Sequence, residues 1–138
     1  KPSSAASDVY KRQAKALHRL LAAYGSNITV CSRSAESAEL SSFYGASHIY
    51  FPELKKKNDF DIVINTVPHI VLTEAELKAL KKSVIILDLA SFPGGADTLM
   101  AASLGLKIIN GRGMPSKFTA KAAGEAIGCA ADEIIRQL

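Results

Sequence analysis

Four short clusters of residues have the composition of ligand-binding loops. They are Ser32-Arg33-Ser34, Asn65-Thr66-Val67-Pro68, Asp88-Leu89-Ala90-Ser91 and a glycine-rich run that contains Gly113 and Met114. Each cluster directly follows a short apolar run of the kind that forms a strand. Hydroxyl, amide and guanidinium groups at such positions are suited to hydrogen bonding with an anionic small molecule.

The elements that must position these clusters alternate between helix and strand. The sequence predicts strands at 28–31, 46–50, 61–65, 83–89 and 106–110, and helices at 14–24, 35–44, 52–57, 73–81, 96–104 and 119–138. This alternation predicts an α/β fold, a Rossmann-like parallel sheet with helices on both faces. In such a sheet the carboxyl ends of the strands line the ligand crevice, where all four clusters are expected.

The first cluster lies where a Rossmann fold reads the adenosine ribose of a dinucleotide. An Asp or Glu at that strand end binds the ribose 2′-hydroxyl of NAD, whereas an arginine accommodates the 2′-phosphate of NADP. Ser32, Arg33 and Ser34 include no acid, and an arginine fork with two hydroxyl neighbours suits a phosphate. The cluster therefore predicts NADP rather than NAD; the alternative is an arginine that merely lies on the surface after a strand.

The second cluster is expected along the cofactor's ribose and pyrophosphate, and the third close to it. Asn65-Thr66-Val67-Pro68 is an extended loop, for which a plain strand-ending turn is the alternative. Asp88 ends a buried apolar strand, where a carboxylate is costly unless it is paired. It is expected either to contact the ligand or to organise the turn, and Gly94-Gly95 allows a close backbone approach or positive φ.

The fourth cluster is expected to face the nicotinamide half of the cofactor. Arg112 and Lys117 flank Gly113 and Met114, and either cation could meet an anionic substrate or be a plain surface residue. His69 has no adjacent carboxylate or nucleophile in the sequence, so no catalytic acid or base is assigned. His48 is expected to be a surface or structural residue.

Composition limits the class of protein. The net charge of +4 comes from mostly scattered lysines without aromatic residues between them, which argues against nucleic-acid binding. No run approaches the roughly 18 apolar residues of a membrane span. Cys31 and Cys129 have no metal-ligand spacing, so we expect no metal and a reducing, cytoplasmic location.

The start of the chain lacks a glycine-rich strand and turn. A Rossmann unit normally begins with these elements, which bind the pyrophosphate, and its first strand is central in the sheet. We therefore expect a gap between neighbouring strands, and weak or no dinucleotide binding by the chain alone. Residues 1–13 are polar and aperiodic and are expected to be a non-native or disordered leader. Residues 14–138 are then the NAD(P)-binding domain, lacking its first strand.

Three segments together resemble the C-terminal nucleotide-binding domain of the dipicolinate synthase A family. They are residues 61–68, residues 87–95 with their Asp-Leu-Ala-Ser-x-Pro-Gly-Gly element, and residues 113–117 followed by Ala123-Gly124-Glu125. The resemblance extends from Ala14 to the end. The chain departs from the family's pattern at Ala14, where a glycine is expected, and at Ser116, where the family usually has glycine.

This resemblance implies an NAD(P)-dependent oxidoreductase that forms dipicolinate during sporulation. It implies a small dicarboxylate substrate and a partner protein, the flavoprotein-like dipicolinate synthase B; a homo-oligomer is also expected. Two alternatives stay open. One is another two-domain dehydrogenase of the shikimate, alanine or 2-hydroxyacid type, and the other is a non-catalytic nucleotide-binding module.

Overall fold

Helices and strands alternate along the chain in this computed structural model, which describes residues 3–112 and residue 136. The elements are α1 (Ser3–Ala23), β1 (Thr29–Ser32), α2 (Ala35–Phe43), β2 (Ser47–Tyr50), α3 (Phe51–Leu54), β3 (Ile62–Asn65), α4 (Glu74–Ala79), β4 (Ile85–Asp88), α5 (Thr98–Ser103) and β5 (Lys107–Asn110). Every predicted strand is present. The predicted loop and helix beyond Arg112, with Gly113 and Met114, lie outside the described residues.

The described strands form two parallel sheets. β1 pairs with β2, while β3, β4 and β5 form a separate sheet in that order. The Rossmann order 3-2-1-4-5-6 gives the same two groups when strand 1 is left out. The Rossmann-like α/β fold is thus confirmed, and the expected gap lies between β1 and β3, which do not pair within the described part of the chain.

The chain divides into two compact units. One consists of Lys1–Asn27 and Gly113–Leu138, and the other is Ile28–Arg112, which contains both sheets. In the first unit, helix α1 begins at Ser3, earlier than the predicted start at Ala14. Alanine, lysine, arginine and glutamine among residues 3–13 favour a helix even without an apolar stripe. The non-native origin of this segment stays a prediction.

The core of the second unit surrounds β4. All four residues of β4 are buried, and Ile86 has no exposed surface. A strand that has a neighbour on each edge and helices on its faces reads as a continuous apolar run, which is why the sequence of β4 does not alternate. Buried residues that pack together around it are Leu54, Leu72, Leu77, Leu80, Val84, Ile86, Ala96, Ala101 and Leu106.

Side-chain caps fix where the helices begin. Ser34 caps α2 by accepting a hydrogen bond from Ser37 N. The predicted capping box of Thr73 and Glu76 is present at α4. Such caps satisfy amide groups that have no partner within the helix. In the described residues no helix is long and apolar enough to cross a membrane.

Candidate functional site

The end of β1 presents three polar side chains. Ser32 is half-buried, whereas Arg33 and Ser34 are exposed. Ser34 Oγ accepts from Ser37 N at 3.2 Å and so begins α2. The Arg33 guanidinium has neither an ion pair nor a hydrogen bond to any described residue. It is therefore available to an external anion.

A histidine on the neighbouring strand completes this group. Ser32 Oγ and His48 Nε2 are 2.8 Å apart and share a hydrogen bond. The Tyr50 and His48 rings pack in a T-shaped arrangement, with centroids 4.8 Å apart and planes at 79°. Parallel pairing of β1 with β2 sets Ser32 opposite Tyr50 and thereby brings the histidine within reach. Sequence reasoning missed this role of His48, because no local signal points to the contact.

Cys31, which directly precedes Ser32, has a thiol whose pKa is raised by burial. Cys31 lies in β1, where burial, with a smaller contribution from the negative charge of Glu53, raises the pKa of its thiol to about 11. The thiol is thus protonated and packs against the core of the second unit. A buried, protonated thiol of this kind behaves as a small apolar residue rather than as a nucleophile.

Asn65 holds the loop that follows β3. Its Oδ1 accepts from Val67 N at 3.1 Å, and its Nδ2 donates to Val67 O at 2.9 Å. The same Nδ2 donates to Asp88 Oδ1 at 2.8 Å. Asn65 is buried, while Thr66, Val67 and Pro68 are half-buried. The asparagine therefore fixes the backbone of the loop and uses both of its amide hydrogens within the protein.

Asp88 organises the loop that follows β4. In addition to the bond from Asn65, its Oδ1 accepts from Ala90 N at 3.2 Å and its Oδ2 accepts from Gly95 N at 2.8 Å. Only 1% of its surface is exposed. Of the two roles expected for this carboxylate, the contacts are those of turn organisation. Leu89 and Ala90 are also buried, and the Leu89 amide donates to Asn65 O, whereas Ser91 is exposed.

The two glycines of this loop are required by their surroundings. Gly94 has φ +86, and a Cβ on it would lie 2.5 Å from Arg112 Nη2 and 2.6 Å from Asp88 Oδ2. A Cβ on Gly95 would overlap the Asn65 amide. The expected close backbone approach and positive φ are both confirmed. Arg112 Nη2 donates to Pro93 O at 2.9 Å, and its Nε is buried without a partner among the described residues.

The structure brings some predicted residues together and leaves others apart. The second and third clusters meet through Asn65 and Asp88, which the β3–β4 register places side by side. No described contact joins them to Ser32, Arg33 or Ser34. Among the described residues there is no group of three side chains able to hold a metal ion.

Comparison with known proteins agrees with this architecture. No protein-family model matches the chain. The chain is 31% identical over 128 residues to dipicolinate synthase A of Bacillus subtilis (strain 168), which is 92% of this chain and 43% of that protein. Solved structures of dipicolinate synthase A from Bacillus subtilis and Bacillus halodurans superpose with TM-scores of 0.70 and 0.70, at 32% and 27% identity.

These superpositions cover 88% and 85% of this chain but only 42% and 41% of the two solved chains. The chain therefore spans less than half the length of the relatives that it matches. Within that span, both the sequence and the fold agree with the relatives. The resemblance to dipicolinate synthase A that the sequence motifs indicate is confirmed for the part of that protein which this chain spans.

Proposed function

We propose that this domain binds NADP(H) as the cofactor domain of an oxidoreductase of the dipicolinate synthase A type. The Rossmann-like fold and the similarity along most of the chain support a nucleotide-binding role. The exposed Arg33 at the end of β1, which has no partner among the described residues, is the observation that carries the choice of NADP.

The residues at the end of β1 fit a 2′-phosphate. Ser32 supplies a hydroxyl, and Arg33 supplies a guanidinium that can form two parallel hydrogen bonds. Ser34 caps the helix α2, which begins directly after it. A ribose 2′-hydroxyl would instead favour a carboxylate at this point. No acid lies between Thr29 and Ala35, so the donor set matches an anion better than a hydroxyl.

The other loops would hold the rest of the dinucleotide. Thr66, Val67 and Pro68 present a backbone fixed by Asn65, and Ala90 and Ser91 present one fixed by Asp88. Gly113 and Met114 would face the nicotinamide. The bound nicotinamide supplies hydride transfer. These residues bind and orient it, and no described residue is assigned as the catalytic acid or base.

The test is the charge reversal Arg33→Asp in the full-length gene product. We expect weaker NADPH binding and unchanged or stronger NADH binding. The ratio of the NADPH dissociation constant to the NADH dissociation constant should therefore rise. Fluorescence titration of both reduced nucleotides measures this. Lys56→Asp makes the same charge change at another exposed position and serves as the matched control. An unchanged ratio for Arg33→Asp would refute the assignment.

The activity of the whole protein is a further part of this proposal. We propose that it oxidises a small dihydrodipicolinate-derived dicarboxylate to pyridine-2,6-dicarboxylate during sporulation, in the cytoplasm, with dipicolinate synthase B as its partner and as a homo-oligomer. Similarity to dipicolinate synthase A supports this over a shikimate-, alanine- or 2-hydroxyacid-type dehydrogenase. Coupled formation of NADPH and dipicolinate from that precursor is the expected result. NADPH formation with shikimate, alanine or a 2-hydroxyacid in its place would contradict it.

A further inference from the structure

We infer that His48 is a positioning residue that determines nucleotide specificity by presenting the Ser32 hydroxyl to the 2′-phosphate. The inference rests on the proposed function and extends it to a residue on β2. Its basis is the 2.8 Å hydrogen bond between Ser32 Oγ and His48 Nε2, at the strand end where Arg33 is exposed.

A serine hydroxyl has one hydrogen to donate, and its oxygen can also accept. When His48 Nε2 carries a hydrogen, it donates to Ser32 Oγ, and the serine hydrogen is left for another acceptor. The acceptor present is Ser34 O, at 3.5 Å, which is long for an O–H···O bond. A phosphate oxygen at this strand end is a stronger, charged acceptor for the same hydrogen.

The opposite tautomer makes the serine suit a different ligand. When Nε2 lacks a hydrogen, Ser32 donates to His48, and only the serine oxygen lone pairs are left for the ligand. Those lone pairs suit a ribose 2′-hydroxyl, which can donate, and disfavour a phosphate, which accepts. Whether Nε2 carries a hydrogen therefore decides whether the Ser32 hydroxyl favours or disfavours the 2′-phosphate.

Packing holds the histidine where this control is effective. The Tyr50 ring packs against the imidazole in a T-shaped arrangement, and Tyr50 pairs with Ser32 in the β1–β2 register. His48 itself is half-buried. It acts through Ser32 and is not assigned a contact with the nucleotide.

The experiment is a set of titrations with NADPH and NADH on the full-length gene product. His48→Leu removes the group that orients the Ser32 hydroxyl toward the charged phosphate, so it is expected to raise the NADPH dissociation constant about tenfold, which is about 1.4 kcal/mol. The NADH constant is expected to change less than about twofold, because the ribose hydroxyl is uncharged. His48→Gln, whose amide can donate to Ser32, is expected to restore most of the NADPH preference. Melting temperatures of both variants verify that they fold.

A double-mutant cycle with Ser32→Ala separates positioning from a general structural role. In the Ser32→Ala background, His48→Leu is expected to have no further effect on the NADPH-to-NADH ratio. A persisting effect there, or equal weakening of both nucleotides, would overturn the inference. If Arg33→Asp shifts the ratio and His48→Leu does not, the inference fails while the NADP assignment stands. If neither shifts it, both fail.

Discussion

The contact between Gly95 and Asn65 leaves no space for a side chain at position 95. An added Cβ would lie 1.9 Å from Asn65 Nδ2, 2.2 Å from Cγ and 2.5 Å from Oδ1, all far inside van der Waals contact. Gly95 does not have the positive φ of Gly94, so an alanine there would be opposed by this overlap rather than by backbone strain. Gly95→Ala must therefore push the buried Asn65 amide out of its place.

The expected cost follows from the hydrogen bonds that Asn65 would lose. Two join it to Val67 and one joins it to the Asp88 carboxylate. A neutral bond contributes about 0.5–1.5 kcal/mol and one to a charged group about 1.5–3 kcal/mol. The free energy of unfolding should thus fall by about 2.5–6 kcal/mol, a large share of the roughly 5–15 kcal/mol that stabilises a domain.

Urea unfolding of the chain and its variants measures this loss. Gly105→Ala is the matched control, because Gly105 has φ +71 but a Cβ there would meet nothing within 4 Å. The left-handed backbone conformation alone should lower the free energy of unfolding of Gly105→Ala by about 1–2 kcal/mol. In an Asn65→Ala background the clashing atoms are absent, so Gly95→Ala should cost far less than in the wild type. An equal cost in both backgrounds, or a cost below that of Gly105→Ala, would refute the reasoning.

Two further predictions concern titrating groups. Partial burial raises the pKa of Glu76, but hydrogen bonds from the Thr73 hydroxyl and backbone amides outweigh it, so the net shift is downward. The stability advantage over Glu76→Gln should be present above the unfolded carboxyl pKa of about 4.3 and be lost as the pH falls through the lower folded value. Urea unfolding across this range tests it, and a pH-independent difference would contradict it. With Cys129→Ser as background, Cys31 should react with iodoacetamide much more slowly folded than unfolded at about pH 8 and faster as the pH approaches about 11. Equal rates of iodoacetamide reaction for folded and unfolded protein at about pH 8 would contradict this expectation.

Local patterns predict the elements because local physics determines them. The run around Ile86 indicates a strand buried on both faces, and Thr73 with Glu76 indicates a capping box; both are present. The Gly94-Gly95 pair indicates close approach and positive φ, which the structure confirms. The described polar clusters lie at the ends of β1, β3 and β4, as the sequence indicates. That they line one ligand crevice stays a prediction.

The contacts between clusters could not be predicted, because they depend on register between distant segments. Asn65 meets Asp88 across 23 positions of sequence, and Ser32 meets His48 across 16. A shift of one residue in either pairing would turn these side chains to the other face. The predicted start of α1 at Ala14 is wrong for another reason, since the helix begins at Ser3. Residues 3–13 are mostly polar, so the sequence there gives no periodic apolar signal that would indicate a helix.

The two kinds of loop should respond differently to mutation. Asn65 and Asp88 are buried and use their polar atoms on each other and on neighbouring backbone amides. Changing either residue alters the geometry of these loops. The part of the dinucleotide that the loops would contact is the same in NADPH and NADH, so the affinity for both should fall together. Arg33 is instead exposed and has no partner among the described residues, and the half-buried Ser32 hydroxyl contacts only His48 and, at 3.5 Å, Ser34 O. In the proposed binding mode these two residues meet the 2′-phosphate, which is the only group by which the two nucleotides differ. Selectivity between the cofactors should therefore reside at the end of β1, and stability of the binding edge at the ends of β3 and β4.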